Sequence, residues 1–411
     1  MSGRFYGIQG GHSVRRANWK FRAAAMSAAL MAALAGGVVV QSGAAQAAAT
    51  KVKASCAPTQ PGVAHCLALR VVSGGALASG TAKSGPAGWH PADLQAAYNL
   101  DPSKGKGQTV AIVDAYDDPN AESDLAVYRK TFGLPPCTSA SGCFRKVDQR
   151  GGQHLPAANG GWAEEISLDL DMVSGVCPQC NILLVEGDTG KALDLGYAVN
   201  SAVRLGATEV SNSYGYRGTP KGRQALSVFY DHPGVPITVS SGDDGYDNPP
   251  NEIPAAYETV TAVGGTSLFR SSDARGFRET AWRFAGSGCA YYGQKPRWQT
   301  DTGCAKRAVS DVAAVADPST GVTVYDTFKA DTGFEVFGGT SVSSPIIASV
   351  YALAGNGATI KDARRAYAHS SALFDVTEGL NGKCSVSYLC NAGPGYDGPT
   401  GLGTPNGTNA F

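Results

Sequence analysis

The middle of the chain alternates between two spacings of apolar side chains. The run QTVAIVDAY (108–116) is β-branched and apolar and turns polar at Asp114, which predicts a buried strand. The segment AEEISLDLDMVSGV (163–176) sets Leu168 and Met172 four apart among polar residues, which predicts a helix. The same reading gives strands over 181–187, 209–215 and 236–245, and helices over 192–206 and 223–232. Strands that alternate with helices form a parallel sheet, because a parallel crossover needs a return of helical length. The expected class is therefore α/β, a mostly parallel twisted sheet with helices on both faces. In such sheets chemistry gathers beyond the carboxyl ends of the strands. Asp114, Ser213 and Asp243 all fall at such ends.

Later in the chain, residues 338–345 read Gly-Gly-Thr-Ser-Val-Ser-Ser-Pro and lead into the apolar run IIASVYALAG. Two glycines permit a tight bend and a close approach of a ligand. Ser341 then stands at the mouth of a helix, with Pro345 expected in its first turn. Backbone N–H groups at a helix start favour negative charge, which suits an oxyanion beside a nucleophilic serine. A plain Ser/Thr helix cap is the competing reading.

Two further acidic features bear on that choice. Glu165 and Asp169 are four apart and share one face of the predicted helix. Carboxylates so placed repel unless they share a proton or face a common partner, and such a pair titrates as a unit able to act as a general base. A solvated acidic face is the alternative, and it is the reading taken for Glu164 and Asp171. Asp243 lies in Ser240-Ser241-Gly242-Asp243-Asp244-Gly245, directly after an apolar strand. If its surroundings keep it protonated it can donate to an oxyanion; otherwise this is an Asp-Gly turn.

Composition limits the rest. The 411 residues include 53 glycines and only 17% charged residues, which argues against a coiled coil or a disordered chain. Residues 1–47 hold Arg4, Arg15, Arg16, Lys20 and Arg22 and no acid. A basic stretch, the apolar run 23–40 and Ala45-Gln46-Ala47 read as a secretory signal, so the mature chain is expected to be extracellular and free of stable membrane association. Setting that segment aside leaves 29 basic against 34 acidic residues, a net charge of −5. That is no footprint for nucleic acid. The ten cysteines fall into five neighbouring couples, predicting the disulfides 56–66, 137–143, 177–180, 289–304 and 384–390. Residues 48–84 are small and polar and read as a short N-terminal extension or vestigial pro-segment, ahead of a single domain over 85–411.

Taken together, Glu165…Asp169, Ser241-Gly242-Asp243-Asp244-Gly245 and Gly338-Gly339-Thr340-Ser341…Pro345 resemble the motifs of the sedolisin family of serine-carboxyl peptidases. The only change in the last motif is Gly338 where the family carries serine. The resemblance spans roughly residues 87–411 and implies a subtilisin-like fold and a secreted, acid-active endopeptidase acting on protein or peptide substrates, a monomer by expectation. It implies Ser341 as nucleophile, Glu165 as its base, Asp169 behind the base and Asp243 in the oxyanion hole. Asp114 resembles an acid that extends the network behind the glutamate. The segment Ser211-Asn212-Ser213-Tyr214-Gly215 resembles one that pairs with an extended substrate. At the C-terminus, Asp375, Val376, Gly393, Gly395 and Asp397 resemble the ligands of one structural calcium ion. Family members commonly carry a pro-domain much longer than residues 48–84. A subtilisin-type triad is the rival, and it requires a histidine, for which His154 is the best placed.

Overall fold

The computed structural model describes residues 50–58, 60–73, 85–216, 225–246, 253–328 and 333–411, all within the unit Ala47–Phe411. The expected secretory signal, 1–47, lies outside the described residues. In chain order the strands are β1 (Lys51–Ala54), β2 (His65–Cys66), β3 (Leu69–Ser73), β4 (Thr109–Ala115), β5 (Phe144–Asp148), β6 (Asn181–Gly187), β7 (Glu209–Asn212), β8 (Tyr214–Gly215) and β9 (Ile237–Ser240). They continue with β10 (Thr261–Arg270), β11 (Phe277–Ala281), β12 (Gly288–Cys289), β13 (Ala308–Val309), β14 (Val312–Val315), β15 (Val322–Asp326) and β16 (Gly333–Gly338).

The central sheet has the order β11-β10-β9-β7-β4-β6-β5, with β14 also paired to β10. Every pairing in it is parallel except β10 with β11. Side chains alternate across a strand, and β4 shows what that does here. Val110 and Ile112 enter one apolar core, with Ile166, Leu168, Val342 and Ile346. Ala111 and Val113 enter a second core on the opposite face, with Leu195, Ala198 and Val199. By the same alternation Asp114 falls on the first face, toward the helices Gly160–Val176 and Thr340–Ala354, which pack against each other. The α/β class, with helices on both faces of a mostly parallel sheet, is thus the observed one.

Local expectations meet the structure with three corrections. The strand expected over 209–215 is broken at Ser213 into β7 and β8. Within 223–232 the described residues are α-helical at 225–226 and continue as a 3-10 turn, Ser227–Tyr230. Glu164 and Asp171 are buried, not solvated: Arg70 lies 3.7 Å from Glu164, and the Tyr325 N–H donates to Asp171 at 2.8 Å. The helix Gly160–Val176 is enclosed nearly all round, so its acids face protein on every side. Pro345 sits in the second turn of the helix Thr340–Ala354, not the first. It cannot donate to the Ser341 carbonyl four residues back, which leaves that oxygen available to Ser213.

All five expected disulfides are present. The extension is not a loose appendage where it is described. A second sheet has the order β1-β3-β16-β15, and β2 pairs with β8. Strands β1 and β3 are thereby built onto β16, the strand that leads into Ser341. Among the described residues, no helix is long and apolar enough to cross a membrane.

Candidate active site

Gly339 makes the turn into the helix Thr340–Ala354. It caps the helix at φ 95°, a backbone conformation that side chains resist. A Cβ there would lie 1.8 Å from the Leu67 carbonyl oxygen and 2.8 Å from Asp243 Oδ2. At Gly338 a Cβ would meet Pro318 N at 2.4 Å and Ala316 O at 2.6 Å, so a serine does not fit this chain at that position.

Ser341, beyond the turn, is fully buried and donates its hydroxyl to Glu165 Oε2 at 2.8 Å. The same carboxylate oxygen accepts the Ala68 N–H at 2.9 Å. Glu165 gets there because the helix Gly160–Val176 is started by Asn159, whose side chain accepts the N–H groups of Gly161 and Trp162. One turn on, Asp169 reaches back within hydrogen-bond range of Glu165. The Ser213 hydroxyl lies 2.8 Å from both Asp169 oxygens and 3.3 Å from the Ser341 carbonyl oxygen. The rival triad does not form: His154 is exposed in a loop and its N–H donates to Asp148.

Burial governs the electrostatics. Asp114 is enclosed at the end of β4, and burial pushes its carboxyl up to about 8. Glu165 and Asp169 are likewise raised well above the usual carboxylate range, first by burial and then by the neighbouring Asp114 charge. Three carboxyls in one dry pocket cannot all ionise. Asp243, on the turn after β9, is pushed up to about 7 by burial. Its Oδ1 accepts both the N–H and the hydroxyl of Thr340, each at 2.8 Å, while Oδ2 has no partner among the described residues. A proton on Asp243 therefore belongs on Oδ2, the oxygen beside Gly339.

The segment 211–215 divides by role. Ser211 and Asn212 are pinned inside, by the Ser344 hydroxyl at 3.0 Å and the Thr238 carbonyl at 3.0 Å. Ser213, Tyr214 and Gly215 present their backbone, and the strand they pair with is the chain's own residues 65–67. Neither that occupant nor Thr340 as the anchor of Asp243 was read from the sequence. Thr340 could have been found, since it adjoins the nucleophile at a helix start.

Asp375 and Asp397 also come together. The Gly395 N–H donates to Asp375 Oδ2 at 2.8 Å, and the Gly393 N–H to Asp397 Oδ2 at 3.0 Å. Burial, with the Asp375 charge adding, pushes Asp397 up to about 7. Among the described residues no group of three or more His, Cys, Asp and Glu converges, so a cation here would rest on these two carboxylates and on carbonyl oxygens. Such an all-oxygen set fits calcium in kind.

The fold and the carboxylate-served serine define a serine-type peptidase of the serine-carboxyl class. The chain belongs to the subtilase family, whose model matches residues 154–384. It is similar to kumamolisin of Bacillus sp. (strain MN-32), at 28% identity over 87% of this chain and 71% of that protein. It is also similar to sedolisin of Pseudomonas sp. (strain 101), at 26% identity over 80% of this chain. The chain spans 61% of that sedolisin's length. A solved structure of Pseudomonas sedolisin, a serine-carboxyl proteinase complexed with two molecules of pseudo-iodotyrostatin, shares the fold with a TM-score of 0.64 at 23% identity. The match covers 79% of this chain and 96% of that one.

Proposed function

We propose that this chain is a secreted, acid-active endopeptidase that cuts peptide bonds through an acyl-enzyme on Ser341. The observation that carries the reading is the 2.8 Å hydrogen bond from Ser341 to Glu165, inside a pocket with two more carboxyls. The substrate carbonyl carbon is attacked by Ser341 Oγ while Glu165 Oε2 takes the proton. Asp169, protonated, donates to Glu165 and so holds the one negative charge of the cluster on the oxygen that faces the serine; Asp114, also protonated, keeps a second charge away. Asp243 donates from Oδ2 to the oxyanion, where a fixed donor acts at full strength because the pocket is dry. Glu165 then passes its proton to the leaving amine, and water releases the acyl group. The backbone of Ser213–Gly215 holds the substrate as an added strand.

Calcium would be held by Asp375 and Asp397 with the carbonyl oxygens of Val376, Gly393 and Gly395. Bound there, it would neutralise two adjacent carboxylates and tie the C-terminal loops together. Export is supported by the N-terminal composition and by five disulfides, which persist in oxidising surroundings. The test is hydrolysis of casein and a quenched peptide across pH 2–9 by the purified protein. Acid-range activity, absent in Ser341→Ala, cut at least about a hundredfold in Glu165→Gln and kept in His154→Ala, is the expected result. Undiminished activity in Glu165→Gln would overturn the mechanism.

A further inference from the structure

One cavity lies apart from Ser341 and has a chemistry of its own. It encloses about 190 Å³ and is lined by three tyrosines, Tyr257, Tyr291 and Tyr292, and by two acids, Asp231 and Glu258. The acids fall just before the amino ends of β9 and β10, which are parallel neighbours in the central sheet. Asp243 lies past the carboxyl end of β9, so this cavity and the Asp243 turn stand at opposite edges of the sheet.

The tyrosines are held in place. Tyr257 is buried and packs on Tyr230, with ring centroids 5.5 Å apart. Tyr291 and Tyr292, with centroids 5.0 Å apart, belong to the loop that the Cys289–Cys304 disulfide closes. Tyr291 is 56% exposed and so stands at the mouth. The face of an aromatic ring is negative and attracts a cation. Asp231 and Glu258 are exposed, and neither side chain makes an ion pair or a hydrogen bond among the described residues. No lysine, arginine or histidine among the described residues lines the cavity. Lys306 reaches its rim only to donate to the Gly293 carbonyl at 2.9 Å, and the His232 ring is engaged with Asn200 and the Phe229 carbonyl. The same two acids border a second cavity, where Arg297, Lys361 and Arg364 supply the opposite charge, so the tyrosine side is the one left for a cation.

We propose that this cavity binds an alkylammonium group, its positive head against the tyrosine rings and its charge balanced by Asp231 and Glu258. The volume is below the roughly 300–1,000 Å³ of sites for drug-sized ligands, so the cavity takes one headgroup or one side chain. Two sources carry that chemistry: a free quaternary amine, and the lysine side chain of a peptide. Val228 and Ile253 complete the wall and give the apolar carbons of either one a surface to pack on. The proposal stands independently of the chemistry at Ser341.

The experiment is a ligand-detected NMR titration of the full chain carrying Ser341→Ala, so that no probe is consumed. It is run at pH 7 with sodium chloride holding the ionic strength constant. The probes are choline, its uncharged isostere 3,3-dimethylbutanol, and N-acetyl-lysine methylamide. At least one charged probe is expected to saturate the protein in the millimolar range, with the isostere bound roughly tenfold more weakly than choline. Tighter binding of choline would assign the site to a free amine, and tighter binding of the lysine probe to a peptide side chain. Tyr291→Leu and Glu258→Gln, at exposed positions, should each weaken the charged probe about three- to tenfold and leave the melting temperature unchanged. An isostere bound as tightly as choline would leave only an apolar hollow and overturn the proposal. Unchanged affinity in either variant would overturn it too, as would no saturation by either charged probe below about 100 mM.

Discussion

Thr340 donates its backbone N–H and its hydroxyl to one oxygen of Asp243, and so fixes which oxygen of that acid can carry a proton. The Gly242 N–H donates in turn to the Thr340 hydroxyl, which obliges that hydroxyl to point its own hydrogen at Asp243. In the proposed mechanism the donor aimed at the oxyanion is thereby set by Thr340, the residue next to Ser341. Asp243→Ala is expected to lower kcat by about 10²–10³, the usual loss for one oxyanion donor. Asp243→Asn keeps an N–H donor on that side at every pH, and is expected to retain more activity than the alanine variant. Steady-state kinetics of the two proteins decide it.

The pH profile follows from the same residue. With its carboxyl pushed up to about 7, Asp243 is a donor below that pH and a repelling charge above it. Activity in the wild type is expected to fall as pH rises through about 7. In Asp243→Asn that descending limb should move to higher pH or vanish. A limb that stays in place would assign it to another group.

Stability should also favour acid. Burial pushes Asp114 up to about 8, Glu209 to about 8, Glu186 to about 9 and Asp326 to about 7. Between pH 4 and those values the folded chain holds more protons than the unfolded one, so unfolding releases protons and becomes easier as pH rises. The melting temperature of the inactive Ser341→Ala protein is expected to decline from about pH 5 to pH 9, with ordinary carboxylates near 4 as the reference. Calorimetry across that range measures it, and a rising trend would contradict the buried neutral carboxyls.

The proposed calcium site lies near the C-terminal end of the sequence, at Asp375 and Asp397. Chelation is expected to lower the melting temperature, since a ligand that binds only the folded state stabilises it by mass action. Asp397→Asn should remove most of that calcium dependence, while kcat measured below the unfolding range stays near wild type.

The carboxylates near Glu165 test the division of labour. Glu165→Gln should cost about 10²–10⁴ in kcat, the range for a lost general base. Asp169→Asn still offers Glu165 an N–H and is expected to cost less. Equal losses would mean that the pair acts as one unit.

Much of this was readable because it is local. The apolar alternation of 109–115 marks a central strand, and the five cysteine couples are neighbours in sequence. The spacing Glu165 to Asp169 is one helical turn, whatever surrounds it. What escaped the sequence depends on partners far along the chain. Glu164 and Asp171 look like a solvated face until Arg70 and Tyr325 arrive from elsewhere to bury them. Pro345 suits a first turn, but the helix begins one residue before Ser341, and the displaced proline leaves a carbonyl that Ser213 can serve. Residues 63–70 carry no signal of their own. Their strand character comes from the two edges they fill, Tyr214–Gly215 and Phe337–Gly338.

The strand in the cleft belongs to the same molecule as the cleft, so its local concentration is set by the tether and not by the solution. A peptide that arrives from solution meets that occupant at the same strength in a dilute sample as in a concentrated one.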